Sequence, residues 1–214
     1  DRVTIHMNST ITSVDGFVGN FKTKVTDGLS SEEIEHGVAI LATGAKEYRP
    51  DEYLYGQHKA VLTHLEMDEL FRNNDPRVEK TGNVVFIQCV GSRDEDRPYC
   101  SKVCCTHSMK SALKLKEMDP ERAVYVLYRD IRTYGLLEDY YTEARKQGVF
   151  FFRFDAEDPP VAETSNGDLE ITFTDHVLNR KLLLELLGNS GANVAAFSGY
   201  GLAIGGPGVY RLPP

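Results

Sequence analysis

The sequence predicts an α/β protein: a βαβαβ unit forming a parallel sheet, followed by a β-hairpin. Three observations carry this. Residues 82–90 (GNVVFIQCV), 123–129 (AVYVLYR) and 149–154 (VFFFRF) are short apolar runs of strand length. Between them, 101–118 (SKVCCTHSMKSALKLKEM) and 136–148 (LLEDYYTEARKQG) read as helices, the second stopped by Gly148. Strands alternating with helices imply parallel neighbours joined by right-handed crossovers. Residues 161–175 (VAETSNGDLEITFTD) then alternate on both sides of Asn166–Gly167, which is a hairpin tip.

The first part of the chain reads differently. Residues 3–14 and 21–26 alternate and carry β-branched side chains, as antiparallel strands do, with Asp15–Gly16 and Asp27–Gly28 as turn signals. Residues 37–45 (GVAILATGA) read as a buried strand delivering a tight turn at Gly44. Residues 47–57 (EYRPDEYLYGQ) show no period and read as a crossover. Thr63 with Glu66 makes a capping box for a short helix over about 64–73. From Leu186 onward the tail is rich in glycine, nearly free of charge, and assigned no element: a flexible terminus or a stretch foreign to the fold. The expected divisions are 1–77, 78–185 and 186–214.

Of the 214 residues, 41% are hydrophobic and 26% charged, an ordinary globular composition that can bury a core. The 32 acidic residues outnumber the 24 basic ones, for a formal charge of -8. Nucleic-acid binding is therefore not expected, because phosphate neutralisation needs a basic face. No apolar run approaches the ~20 residues of a membrane span, and no signal peptide is visible. The chain opens DRVTIHMNST without an initiator methionine and reads as a piece of something longer.

All four cysteines, Cys89, Cys100, Cys104 and Cys105, fall within FIQCVGSRDEDRPYCSKVCC, residues 86–105. A disulfide between the neighbours Cys104 and Cys105 would be strained, and a reducing, cytoplasmic setting fits better. Cys89 ends a buried strand, and Cys100 and Cys104, at i and i+4, share a face where the next helix starts. Thiolates gathered this way repel one another unless a metal compensates, and a helix N-terminus eases their ionisation. Four thiolates suit zinc or an iron–sulfur cluster. The spacing lacks the paired short knuckles of structural zinc, and adjacent Cys104 and Cys105 reach separate irons more readily than one ion. The spacing therefore favours a [4Fe–4S] cluster, with zinc and incidental buried thiols as the other readings. Arg93, Arg97, Lys102 and Lys110 are placed to offset cluster charge.

The position of this loop adds to the reading. In a dinucleotide-binding βαβ unit the first strand-to-helix turn carries G-x-G-x-x-G and cradles a pyrophosphate. Here it has only Gly91 before Arg93, then charges, then cysteines. The expected task is electron relay. A pyridine-nucleotide reductase using Cys104–Cys105 as a redox pair is disfavoured, since it lacks C-x-x-C spacing and the glycine cradle. His107 reads as a surface or capping residue, and Tyr140, Tyr141 and Phe150–Phe152 as packing. No residue is assigned a catalytic role.

Residues 84–117 (VVFIQCVGSRDEDRPYCSKVCCTHSMKSALKLKE) and 124–154 (VYVLYRDIRTYGLLEDYYTEARKQGVFFFRF) strongly resemble the A subunit of heterodisulfide reductase. The likeness runs from about residue 3 to about 184, with LATGAKEYRPDEYLYGQ and IHMNSTITSVDGFVGNF contributing upstream. The A subunit of the quinone-interacting membrane-bound oxidoreductase complex is a similar relative. The resemblance implies a flavoprotein of the type with two dinucleotide-binding domains: a partial FAD domain, then the parallel-sheet domain with its hairpin. It implies FAD in the first domain, with Thr43, Gly44 and Ala45 against it, and a [4Fe–4S] cluster on Cys89, Cys100, Cys104 and Cys105. Arg129, Arg132 and Tyr134 match the family's YRDIRTYG segment and would line the cluster or an interface. Implied partners are other heterodisulfide-reductase-type subunits, a hydrogenase or formate dehydrogenase donor, and ferredoxin; a homodimer is among the assemblies it admits. The family's G-x-G-x-x-G turn and its C-x2-C iron–sulfur modules do not occur in this chain.

Overall fold

Strand pairing and helix capping account for most of the architecture. The computed structural model describes residues 3–42, 47–165, 167–186 and 194–197. Contacts divide the chain into two units, residues 1–43 and 44–214, whereas the sequence suggested a division after residue 77.

The first unit is an antiparallel meander of β1 (Thr10–Phe17), β2 (Asn20–Thr26) and β3 (Ser31–His36), in that order. Asp15–Gly16 is not the turn. Both residues lie in β1, paired with Lys22 and Phe21, and the chain reverses at Val18–Gly19. Gly16 holds φ +100, and a Cβ there would strike the Asn20 carbonyl, so this glycine serves a close approach and not a reversal. Asp27–Gly28 does turn: the Asp27 carboxylate accepts from the backbone N–H of Leu29 at 2.9 Å and Ser30 at 2.8 Å. The charged β3, SEEIEH, gave no strand signal in the sequence. It pairs because Lys22 lies opposite Glu35 and bridges it at 2.6 Å, and because the Thr23 hydroxyl meets His36 Nε2 at 2.7 Å. Residues 38–42 are not the expected buried strand. None of the described strands pairs with them, and Val38, Ile40 and Leu41 are exposed.

The second unit is built on β4 (Val61–Thr63), α1 (His64–Arg72), α2 (Pro76–Lys80), β5 (Val84–Ile87), α3 (Cys104–Met118), β6 (Val124–Tyr128), α4 (Glu138–Lys146) and β7 (Phe150–Arg153). The hairpin follows as β8 (Val161–Ser165) and β9 (Asp168–Asp175), then β10 (Arg180–Leu186) and β11 (Val194–Phe197). The five-stranded sheet runs β4-β11-β5-β6-β7 and every pairing in it is parallel. Part of the stretch assigned no element does form one: residues 194–197 lie between β4 and β5, and the rest of the tail beyond Leu186 lies outside the described residues. A central parallel strand needs no alternation, so VAAF carries no period to read. The hairpin is also larger than expected, because β10 pairs with β9 to make a three-stranded sheet.

The core lies where this sheet meets its helices and the inner face of β9. All four residues of β5 are buried, as are Met67 of α1, Met109, Ala112 and Leu115 of α3, and Val124, Val126 and Leu127 of β6. Along β9 burial alternates, so Leu169, Ile171 and Phe173 join the same cluster. Helix α1 begins at the predicted capping box: Thr63 Oγ1 accepts from Glu66 N at 3.2 Å and Glu66 accepts from Thr63 N at 2.8 Å. Gly148 follows α4 at φ +80 and its N–H bonds to the Arg145 carbonyl at 3.1 Å, ending that helix as expected.

Candidate metal centre

The site sits at the carboxyl end of β5, where ligands of open α/β sheets bind. Gln88 still belongs to the ladder, its N–H bonding to the Leu127 carbonyl at 2.8 Å. Cys89 then turns left-handed at φ +63 and ends the strand. Gly91 (φ +58) and Arg93 (φ +61) repeat that conformation, and Lys102 (φ +63) adopts it before α3. Left-handed residues other than glycine each cost about 1–3 kcal/mol and persist where the surroundings enforce them, commonly at functional sites. Three of them lie in this one loop.

Cys104 and Cys105 are the first two residues of α3 and are fully buried; Cys89 is buried and Cys100 partly so. No side chain caps this helix, so its first N–H groups and its dipole favour negative charge beside these sulfurs. Cys104 and Cys105 stand 4.0 Å apart, sulfur to sulfur. The Cys104 contact, and behind it the backbone N–H of Arg132, hold the Cys105 thiol below its ordinary value. Burial, with Cys105 nearby, pushes the Cys89 thiol up to about 11, while Arg93 pulls the other way. Cys100 lies within electrostatic reach of Cys105, and its sulfur is 3.4 Å from the Lys102 backbone nitrogen. The four predicted thiols therefore share one neighbourhood. Among the described residues, no three His, Cys, Asp or Glu side chains close around a point as a single ion requires.

Of the basic residues expected nearby, Arg93 aims at a sulfur: its Nη1 is 3.5 Å from Cys89 Sγ. Arg97 covers the Tyr48 ring at 4.4 Å and Lys110 the Tyr140 ring at 5.0 Å. The same Arg93 nitrogen bonds to Asp130, and Arg132 Nε holds the other Asp130 oxygen at 2.9 Å. Burial alone would raise the Asp130 carboxyl, but hydrogen bonds from Arg132 and Arg93 outweigh it and hold it below the usual value. Arg129 donates to the Arg93 carbonyl at 2.8 Å. Arg129 and Arg132 thus both adjoin the cysteine loop, whereas Tyr134 is exposed. Sequence reading passed over Asp130, which ties these arginines together; its position between two arginines in RDIR was the available signal.

It also missed a buried polar row behind the cysteines. Ser108, one turn past Cys104, meets His64 Nε2 at 3.0 Å and takes a hydrogen bond from Gln88. His64 stacks on Phe86 with centroids 5.2 Å apart. His107 is not a surface residue: its ring lies 4.5 Å from that of His64, and its Nε2 is 3.0 Å from Asp68. Thr43, Gly44 and Ala45 lie outside the described residues.

Fold and site define an α/β protein whose loop between β5 and α3 presents thiols in place of a glycine-rich phosphate cradle. Over about 60% of its length, at 36–41% identity, the chain is homologous to the A subunit of heterodisulfide reductase, so the likeness read from the sequence holds. The A subunit of the H(2):CoB-CoM heterodisulfide,ferredoxin reductase of Methanothermobacter marburgensis is 39% identical over 156 residues, 65% of this chain and 23% of that protein. One of the iron-sulfur A subunits of the CoB--CoM heterodisulfide reductase of Methanopyrus kandleri is 38% identical over 137 residues, 56% of this chain and 21% of that one. The chain thus spans less than a quarter of the length of these relatives. No family model matches it. Among solved structures, the FAD-bound cadaverine monooxygenase of Erwinia amylovora aligns at 11% identity and a TM-score of 0.45, covering 97% of this chain and 53% of that one. That likeness is too loose to carry an argument. No described helix is long and apolar enough to cross a membrane.

Proposed function

We propose that the chain is an electron-transfer segment of a heterodisulfide-reductase-A-like oxidoreductase, in which Cys89, Cys100, Cys104 and Cys105 hold a [4Fe–4S] cluster. One observation carries this reading: two buried, adjacent cysteines open an uncapped helix beside a third cysteine that ends the preceding parallel strand. The left-handed loop supports it, because successive backbone N–H groups in such turns make concavities for anionic groups, iron–sulfur sites among them. The names of the relatives, one of them an iron-sulfur subunit by name, point the same way.

A bound cluster supplies one-electron chemistry. The chain's own residues supply the rest. The start of α3 favours charged sulfur at Cys104 and Cys105, Arg93 donates toward Cys89, and burial keeps water from these three sulfurs. In the whole protein the segment would pass electrons between FAD, with Thr43, Gly44 and Ala45 against the flavin, and partner subunits in the cytoplasm. Hydrogenase or formate dehydrogenase donors, ferredoxin and homodimerisation belong to the same proposal. A zinc-stabilised interaction domain is not favoured: the cysteine spacing lacks the paired short knuckles of structural zinc, and one of the relatives is an iron-sulfur subunit by name.

The test is purification without air, followed by the visible spectrum and assays of iron, acid-labile sulfide and zinc. About four irons and four sulfides per chain, with a brown chromophore, are expected. A colourless protein containing zinc would overturn the reading.

A further inference from the structure

Resting on the iron–sulfur reading above, we propose that Arg93 is a positioning residue that sets the reduction potential of the site through Cys89, and that the turn after β6 exists to hold it there. Both ends of Arg93 are held. Its guanidinium reaches Cys89 Sγ at 3.5 Å and Asp130, and its carbonyl accepts from Arg129 at 2.8 Å. Arg132 fixes the far side of Asp130 at 2.9 Å, and the Arg132 backbone N–H reaches Cys105. A single short turn, residues 129–132, therefore addresses a thiol that ends β5 and a thiol that begins α3. Arg93 also keeps a left-handed backbone, a conformation that survives where the surroundings over-determine it.

The charges explain the direction of the effect. Arg93, Arg129 and Arg132 against Asp130 leave a net positive charge around these sulfurs, with Arg93 and Arg129 within reach of Cys89 and Arg132 within reach of Cys100. The Arg93 side chain is only 22% exposed, so water screens it weakly. A cation donating to a ligand sulfur stabilises the reduced, more negative state and raises the potential. If the ion pair were only a loop staple, losing it would change stability and leave the potential alone.

The experiment is an anaerobic redox titration, read by visible absorption and electron paramagnetic resonance, of the whole chain loaded with iron and sulfide. Wild type is compared with Arg93→Gln, Arg93→Lys, Asp130→Asn and the double variant Arg93→Gln/Asp130→Asn. Arg93→Gln is expected to lower the midpoint by about a tenfold change in the one-electron equilibrium, about 59 mV, and Arg93→Lys to recover most of it. Part of the Asp130→Asn effect is expected to vanish once Arg93 is already Gln, because Asp130 acts partly through Arg93 and partly through its own charge near Cys105. Equal potentials in wild type and Arg93→Gln overturn the proposal whatever happens to stability. Should Arg93→Gln fold without taking up iron while Arg93→Lys takes it up, iron content makes the same case for the clamp. Should Arg93→Gln not fold, Arg93→Met takes its place, and a potential equal to that of wild type is the overturning result. If wild type itself takes up no iron and sulfide, the iron–sulfur reading falls first, before any variant is compared.

Discussion

His64 Nε2 lies 3.0 Å from the Ser108 hydroxyl, joining the first residue of α1 to the second turn of α3 inside the core. The imidazole is fully buried, and burial, with the His107 ring beside it, holds it well below its ordinary value of 6.5. The unfolded chain therefore takes up a proton near pH 6.5 that the folded chain refuses. Stability from this group is fully present above that pH and declines as pH falls below it. The decline reaches up to about 1.4 kcal/mol per pH unit until the folded value is reached. Urea midpoints at pH 5 and pH 8 check this: wild type should lose more between them than His64→Gln. Equal losses would falsify the assignment.

Thr63→Ala removes the side-chain half of the capping box on α1. Because Thr63 is itself buried, the Glu66 N–H it caps cannot turn to bulk water instead. A loss of about 0.5–2 kcal/mol is expected, with Thr63→Ser keeping most of it, as measured by chemical denaturation.

Met109 tests whether α3 is anchored by the sheet. It is fully buried in the main core cluster, one turn beyond the paired cysteines. Met109→Ala should cost about 2–5 kcal/mol, whereas Met109→Leu, close in volume, should cost less than about 1.5 kcal/mol. A cost below about 1 kcal/mol for the alanine variant would mean that the helix does not sit on β5 and β6 as described.

Cys104→Ser replaces a fully buried sulfur at the helix start. Iron per chain should fall steeply in this variant, and in Cys105→Ser, while far-ultraviolet dichroism stays near that of wild type. Retention of the full iron content in either variant would remove that residue from the ligand set.

Stripping iron with a chelator under reducing, anaerobic conditions should lower the thermal midpoint, because a group bound only by the folded chain stabilises it by mass action. The cysteine loop should lose amide-exchange protection first, since three non-glycine residues in it hold strained backbone angles. An unchanged midpoint on iron loss would show that the loop is held by its ion pairs alone.

Local signals decided much of this molecule. The apolar runs over 84–87, 124–128 and 150–153, the capping box at Thr63, the Gly148 stop and the clustering of every thiol between the end of β5 and the start of α3 were all legible in the sequence. Each depends on neighbours a few residues away, or on burial so complete that composition alone betrays it. Strand β3 escaped because its charged side chains become compatible with a sheet only opposite Lys22 and Lys24. Strand β11 escaped because its place in the sheet comes from Val61–Thr63 and Val84–Ile87, which lie more than a hundred residues earlier in the chain. The apolar run at 38–42 misled for the opposite reason: it has strand composition, but no described strand pairs with it. At the site, the cysteine spacing by itself named the thiols. Only the tertiary structure decided that Arg93 faces a sulfur while Arg97 and Lys110 cover aromatic rings, with Asp130, 37 positions away, bonded to Arg93. Sequence distance carries no record of that choice; the folded path of β5 and β6, side by side in register, makes it.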